Sequence, residues 1–443
     1  MQYDIKYILN LKPTEVKSFS QRIIDNNITY FVTLERTLFF CVKCHSKLYI
    51  KDYKDRVIHH QIIRDKNTKI VYHARRYYCK TCNKTFYEEN KLSYDSYSLP
   101  TILAIMRFLK EKSSSFAMAS RQFNIPAPSI VNLFDKFVRM PTKAYPRIMM
   151  IDEFYAFRKQ TKNKKYCCLL MDFETNNVID IIEGRNINAW HRYIQSNHNN
   201  NRLNTSYICI DMFETYRHIQ RIYFPSAILV CDSFHVIKNI NKILIDERNK
   251  TLRKCEKGSI NYYLLKKFRW LLTQKGDSYT FDVNNEKKFN RKLNIYANYY
   301  DLREMILKID ESLTEAYYLK EDYLYFNSYS THEKALVDLD EIIEKFLESN
   351  IASFRKLSNT LINWHDEIVN SFILINGKRI SNGKIESTNS IIKTILKNAN
   401  GFTNFQRLRN KVMFVLDKKI EITLIKHKFK IQNKGKQRGT YKK

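Results

Sequence analysis

Between residues 146 and 240 short apolar runs alternate with amphipathic stretches, and their order limits the fold more than any other feature of the chain. "RIMMIDEF" (147–154) reads as a buried strand that delivers Asp152 at its end. "KYCCLLMDFETNNVIDIIEGR" reads as a hairpin turning at Asn176-Asn177. A polar helical stretch near 187–197 is followed by the strand "YICID", which ends at Asp211. Then come an amphipathic helix, "MFETYRHIQRIYF", the strand "AILVCD" ending at Asp232, and the helix "FHVIKNINKIL", which carries His235. The predicted order is β-β-β-α-β-α-β-α.

Three antiparallel strands that continue into parallel ones make a ribonuclease-H-like sheet. In that order the Asp211 strand lies beside the Asp152 strand, and the Asp232 strand is the next one out. Neighbouring strands are ~4.8 Å apart, so Asp152 and Asp211 can share metal ions, while Asp232 begins roughly twice that distance from Asp152. Far downstream, "GKIESTNSIIKTILKNANGF" places Glu386 at a helix start. Glu386, Asn389, Ser390, Lys393 and Lys397 share one face of this helix, and Ile385, Ile392, Ile395 and Leu396 another. A carboxylate on a polar helix face is ordinarily just solvated; this one gains interest from its company. Two strand-end aspartates and a helical glutamate form the oxygen-ligand set that holds two Mg²⁺ ions ~3.5–4 Å apart. One ion activates the attacking oxygen and the other stabilises the leaving oxygen in phosphodiester cleavage or transfer.

The balance of charge agrees with a polyanionic partner. Lys plus Arg total 76 against 45 Asp plus Glu, a formal charge of +31 over 443 residues. A coding bias toward Lys, Asn, Ile and Tyr is the bland explanation, but such a bias would raise the acids too, so nucleic acid is the expected partner. Residues 28–90 alternate in period two and carry "CVKC" (Cys41, Cys44) and "CKTC" (Cys79, Cys82), with 34 residues between them. Each C-x-x-C turn can set two sulfurs at ~2.3 Å from one ion, so the four cysteines predict a structural Zn²⁺ in a zinc ribbon. His45 and His73 are alternative ligands, although four cysteines already complete the shell. Unliganded or redox cysteines are the other reading.

Helical period begins at residue 98. In "FAMASRQFNIPAPSIVNLFDKFV", Ala119 is small where two helices approach, Asn124 suits a left-handed turn, and Ile125, Ile130 and Leu133 would close a core. Pro128 is tolerated in a first helical turn. This predicts a helix-turn-helix with Ser129, Asn132 and Lys136 on its outer face, facing a major groove; an ordinary helical hairpin is the plainer alternative.

The expectation is therefore a multidomain α/β chain. A zinc-ribbon domain spans 1–95 and a helix-turn-helix domain 98–142. The first part of the ribonuclease-H-like core follows at 146–240, then an all-helical, lysine-rich insertion at 241–370. The C-terminal part of the core, with the Glu386 helix, covers 371–416, and a loose basic tail 417–443. Position 4 is acidic, with no long apolar core behind it, so the start does not read as a secretory signal. No run approaches the ~20 apolar residues of a membrane helix. The cysteines show no disulfide framework, which favours a reducing cytosol.

Taken in order, the cysteine knuckles, the helix-turn-helix, "IDEFYAFRK", "IDM", "CDSFH" and "SNGKIESTNSIIK…GF" resemble bacterial insertion-sequence transposases of the ISL-three type, from about residue 30 to 416. The resemblance implies a DDE transposase that cuts and joins element ends with Mg²⁺ or Mn²⁺ and no ATP. Asp152 and Glu386 take the first and last places of its acidic triad, and Asp211 the second, because the D-x-x-H signature (Asp232, His235) accompanies the triad. Asp232 and His235 would support the site or contact DNA; the plainer role for His235 is helix packing. Ser233 departs from the family's common arginine. Double-stranded DNA (terminal inverted repeats and target), a homodimer or larger assembly on it, and a bacterial cytoplasmic, nucleoid-associated setting are implied. A non-catalytic DNA-binding regulator derived from a transposase is the alternative, and it would have no need to keep all three acids.

Overall fold

The computed structural model describes residues 8–63, 66–88, 90–156, 166–196, 200–425 and 428–433. The chain forms two compact units, one of residues 1–143, 155–165 and 389–443, the other of residues 144–154 and 166–388. Residues 157–159 of "IDEFYAFRK" and the last ten residues of the basic tail lie outside the described residues.

In the first unit the period-two region becomes a seven-stranded sheet. Its strands are β1 (Val16–Ile24), β2 (Asn27–Leu34), β3 (Leu48–Ile63), β4 (Lys66–Cys79), β5 (Lys84–Tyr87), β6 (Ser93–Tyr94) and β7 (Tyr97–Ser98). The order is β1-β2-β4-β3-β7-β6, with β5 also paired to β4. Ile28, Tyr30, Val32, Ile58, Ile70 and Tyr72 alternate inward to one core. The sheet is larger than the expected ribbon: the knuckles occupy only its end, where Cys79 pairs with Leu48 on one side and Lys84 on the other. Strand β1 left no mark in the hydrophobic pattern because none of its residues is buried.

Three helices follow, α1 (Leu99–Lys110), α2 (Phe116–Phe123) and α3 (Ala127–Phe137). Ser98 and Ser115 cap the first two by accepting the amides of Thr101 and Met118, satisfying donors that the helix itself cannot. Helix α2 ends at Asn124 with φ +51°, a left-handed residue that Asn tolerates, and Pro128 sits in the first turn of α3. Ala119, Ile125, Ile130 and Leu133 are all buried, as expected of the helix-turn-helix core.

The C-terminal helix Phe405–Leu416, which the sequence reading attached to the catalytic core, packs in this first unit instead. Arg407 forks onto Asp135 of α3 at 2.6 and 3.0 Å, and Arg409 donates to the Met140 carbonyl at 2.9 Å. Lys411 is 1% exposed and donates to the Leu109 carbonyl and, at 2.9 Å, to Ser114 Oγ. The described part of the expected loose tail is paired. Ile420–Ile425 and Lys428–Asn433 pair as an antiparallel hairpin, because "IEITLI" and "KFKIQN" alternate apolar with polar residues.

The second unit holds the sheet read from the apolar runs: β8 (Ile148–Tyr155), β9 (Tyr166–Asp172), β10 (Val178–Glu183), β11 (Tyr207–Ile210) and β12 (Ile228–Cys231), in the order β10-β9-β8-β11-β12. Strands β9 and β10 are antiparallel about Asn176, at φ +55°, and β11 runs parallel to β8 and β12. Helices α4 (Ile187–Ser196), α5 (Glu214–Tyr223) and α6 (Ser233–Lys254) cover it, and Met149, Ile151, Leu170, Trp190, Ile208 and Tyr216 share its core. Helix α6 runs unbroken through residue 241, so the insertion grows out of a core helix rather than starting at a linker. The insertion is helical except for one short hairpin, β13 (Lys288–Asn290) with β14 (Ile295–Ala297). No described helix is long and apolar enough to cross a membrane.

Burial pushes the Lys411 ammonium down to about 7. In the unfolded chain a lysine titrates near ~10.4, so between those values the unfolded state holds the extra proton and stability rises with pH. Denaturant melts should show Lys411→Met losing part of the wild-type gain between pH 7 and pH 10, on the order of 3–4 kcal/mol at most. Parallel pH profiles for the two proteins would contradict this.

Candidate functional site

Parallel pairing sets the three strand-end acids in one row. Cys209 lies opposite Met150, and Ile210 opposite Cys231. Two residues past the first pair come Asp152 and Asp211; one past the second come Asp211 and Asp232. The Asp232 amide donates to the Ile210 carbonyl at 2.9 Å, which keeps the third acid level with the others. With strands ~4.8 Å apart, Asp211 is the central member and Asp152 and Asp232 flank it. Asp211 and Asp232 follow the last residues of β11 and β12, whereas Asp152, expected at a strand end, lies within β8 just past its stretch paired with β11, on the side where open α/β sheets bind ligands.

The Glu386 helix (Gly383–Asn398) brings the fourth carboxylate. The side chain of Asn382, 1% exposed, donates to the Ile151 carbonyl at 3.1 Å, and its amide reaches Asp232 Oδ1 at 3.4 Å. This asparagine ties the start of the helix to the ends of β8 and β12. Ligand atoms of Asp232, His235 and Glu386 then lie within 4.8 Å of one another. His235 Nε2 is 3.8 Å from Asp232 Oδ2, too far for a hydrogen bond. Asp152 Oδ1 accepts the Glu153 amide at 2.7 Å. Asp211 Oδ1, Asp232 Oδ2 and His235 Nε2 are buried without a hydrogen-bond partner.

Burial and mutual repulsion mark these groups electrostatically. Burial pushes Asp211 up to about 6, with the charges of Glu153 and Asp152 adding to it and those of His235 and Arg185 opposing. Glu386 is also raised, by burial first and then by Asp232 and Asp152, and Asp232 is raised by burial. Carboxylates raised by burial and, for Asp211 and Glu386, by neighbouring carboxylates, with buried oxygens of Asp211 and Asp232 lacking a hydrogen-bond partner, have the donor chemistry of a divalent-cation site.

Glu153 and Arg185 escaped the sequence reading. Arg185 pairs with Glu153 at 2.8 Å, and the Tyr216 hydroxyl donates to the same carboxylate at 2.9 Å, which keeps Glu153 occupied beside the acidic row. Asn382 lay inside the quoted "SNGKIE" stretch but had no role until the fold supplied its partners. Further along the Glu386 helix, Lys393 and Lys397 are exposed as expected. Asn389 is buried instead of standing on the polar face, since it lies at the border of the apolar stripe. On α3, Asn132 and Lys136 are exposed and Ser129 is half-buried; Lys136 Nζ sits 4.2 Å from the centre of the Tyr94 ring.

The four knuckle cysteines converge. Cys41 and Cys82 sulfurs are 3.6 Å apart, and those of Cys44 and Cys79 3.4 Å. A tetrahedral Zn²⁺ with ~2.3 Å bonds needs sulfurs about 3.8 Å apart, so the cluster is compatible with zinc. His73 is turned to Asp55 at 2.5 Å, and neither it nor His45 belongs to the cluster.

The ISL3 family model of DDE transposases, described as "Transposase", matches residues 149–412, more than half of the chain, and the chain belongs to that family. Among curated proteins none matches it.

Metal analysis of freshly reduced protein should find about one zinc per chain, as a four-thiolate site requires. Cys79→Ser should lose it and disorder the knuckle end of the sheet, while the second unit keeps its fold; a zinc-free wild-type protein would refute the assignment. For Asp211 the folded pKa is raised, so its stabilising contribution is present below about pH 4 and lost as pH rises through about 6. In chelator at pH 7.5, Asp211→Asn should therefore melt higher than wild type, by on the order of 1–3 kcal/mol, with the gap closing towards pH 4. A variant less stable at pH 7.5 would contradict the raised pKa of Asp211.

Proposed function

We propose that the protein binds the terminal inverted repeats of its insertion sequence and catalyses metal-dependent DNA cleavage and strand transfer. Asp152, Asp211 and Glu386 would hold two Mg²⁺ or Mn²⁺ ions. The observation that carries this reading is the level row of aspartates, with Asp211 at its centre and Glu386 raised by the charges of Asp232 and Asp152. Bound divalent ions would supply charge neutralisation for the attacking and leaving oxygens of an in-line displacement.

The chain's own groups do the positioning. Asp211 is the residue adjacent to both other strand ends, so it is the natural shared ligand. Asn382 holds the helix that carries Glu386 against the sheet. Asp232 and His235 stand at the outer end of the row and support Glu386 or contact the DNA near the cleaved bond. The knuckle-bearing sheet and the exposed face of α3, with Ser129, Asn132 and Lys136, would read the DNA end; Lys393 and Lys397 would take phosphates. Joining two element ends calls for a dimer or larger assembly on DNA.

Cleavage of labelled DNA ends tests the assignment. Asp152→Asn, Asp211→Asn and Glu386→Gln should each abolish divalent-dependent nicking and joining while end binding persists; Asp232→Asn should leave measurable cleavage. Normal cutting by Asp211→Asn with a dead Asp232→Asn would move the metal site to Asp232, His235 and Glu386. For recognition, Asn132→Ala should relax sequence preference, and affinity should fall steeply with salt as phosphate counterions are released. Equal losses on specific and random DNA would argue against readout by α3.

A further inference from the structure

The lysine-rich insertion contains a feature that the cleavage chemistry does not use. Within residues 250–292 there are 12 Lys and Arg against 4 Asp and Glu. Here helix α7 (Ile260–Lys267) and the turn of the β13–β14 hairpin enclose a groove of about 440 Å³ lined by Gly258, Tyr262, Tyr263, Lys266, Lys267 and Lys292. Lys266 Nζ lies 5.3 Å from the centre of the Tyr262 ring. Lys267 Nζ lies 5.2 Å from that of Tyr263 and donates to its hydroxyl at 3.0 Å. Ring faces and a phenol leave both ammonium charges uncompensated. The Tyr263 hydroxyl in turn donates to Asn290 at 3.2 Å, which fixes the hairpin to α7.

The hairpin carries an outward aromatic pair. Phe289 is 50% and Tyr296 70% exposed, with ring centroids 5.2 Å apart. Such rings are costly to leave in water and carry no obvious packing role. An ammonium is a point-charge partner for phosphate, and an exposed ring face is a partner for a base that has left its stack. Bases inside a duplex cannot reach such faces.

We propose that this groove and the Phe289–Tyr296 hairpin form a second DNA contact, which takes an unpaired strand: the three lysines on its phosphates and the aromatic pair under its bases. The proposal rests on the reading of the chain as a DNA-cutting enzyme, since strand cleavage is what would present such a strand.

Fluorescence anisotropy with the full-length protein tests it, comparing a blunt duplex with the same duplex bearing a short single-stranded overhang. Wild type should prefer the overhang. Phe289→Ala/Tyr296→Ala, which leaves the charge unchanged, should weaken overhang binding on the order of tenfold and spare the blunt duplex. Lys266→Ala/Lys267→Ala/Lys292→Ala should lower the slope of log affinity against log salt by about 2 on the overhang substrate, at ~0.7 per single-strand phosphate. Variants that bind the overhang like wild type, or that lose both substrates equally, overturn the unpaired-strand site and leave the transposase reading standing. Wild-type protein that binds neither DNA would overturn both.

Discussion

Everything in the second unit turns on one register. Strand β11 pairs in parallel with β8 on one side and β12 on the other, and this levels Asp152, Asp211 and Asp232 at one end of the sheet. A shift of one residue in either pairing would send an acid to the opposite face, because side chains alternate along a strand. The register is held by the apolar runs behind the acids: Met149, Met150, Ile208, Cys209, Val230 and Cys231 are all buried. The hydrophobic core thus sets the spacing of the charges, and the charges have no say in it.

That arrangement is costly in the metal-free protein. Three strand-end acids and Glu386 share a partly buried space, and the raised pKa values of Asp211, Asp232 and Glu386 record the strain. Nearby Arg185 opposes the shift of Asp211 while it pairs with Glu153 at 2.8 Å. The stability lost there is offset by the continuous apolar core that joins the sheet to the insertion helices.

The first unit follows a different logic, in which distant parts of the chain complete one another. Helix α1 ends with Lys110, whose ammonium donates to the carbonyls of Asp417 at 2.9 Å and Ile420 at 3.3 Å. Lys411 and Arg407 return the favour from the C-terminal helix, to α1 and α3. A helix-turn-helix of three short helices has little core of its own. Here the C-terminal helix Phe405–Leu416 adds its buried face to that core, so the first unit is built from segments that lie on both sides of the second unit in sequence.

By itself the sequence determined those features whose signal is local. The C-x-x-C turns, the left-handed Asn124 and Asn176, Pro128 in a first turn, and the strand-helix order from Ile148 to α6 depend on neighbouring residues alone, and each could be read from them. It also named the strand-end acids, because an acid closing an apolar run is conspicuous, and Glu386 only through the company of those acids. Only the tertiary structure decided which segments meet. The exposed edge strand β1 carries no hydrophobic period, the assignment of the 405–416 helix to the first unit rests on partners some 270 to 300 residues away in sequence, and Asn382 acquires meaning only beside Ile151 and Asp232. The grouping of Asp232 and His235 with Glu386 belongs here too. Periodicity reports which face of an element is buried, and it is silent on what that face is buried against.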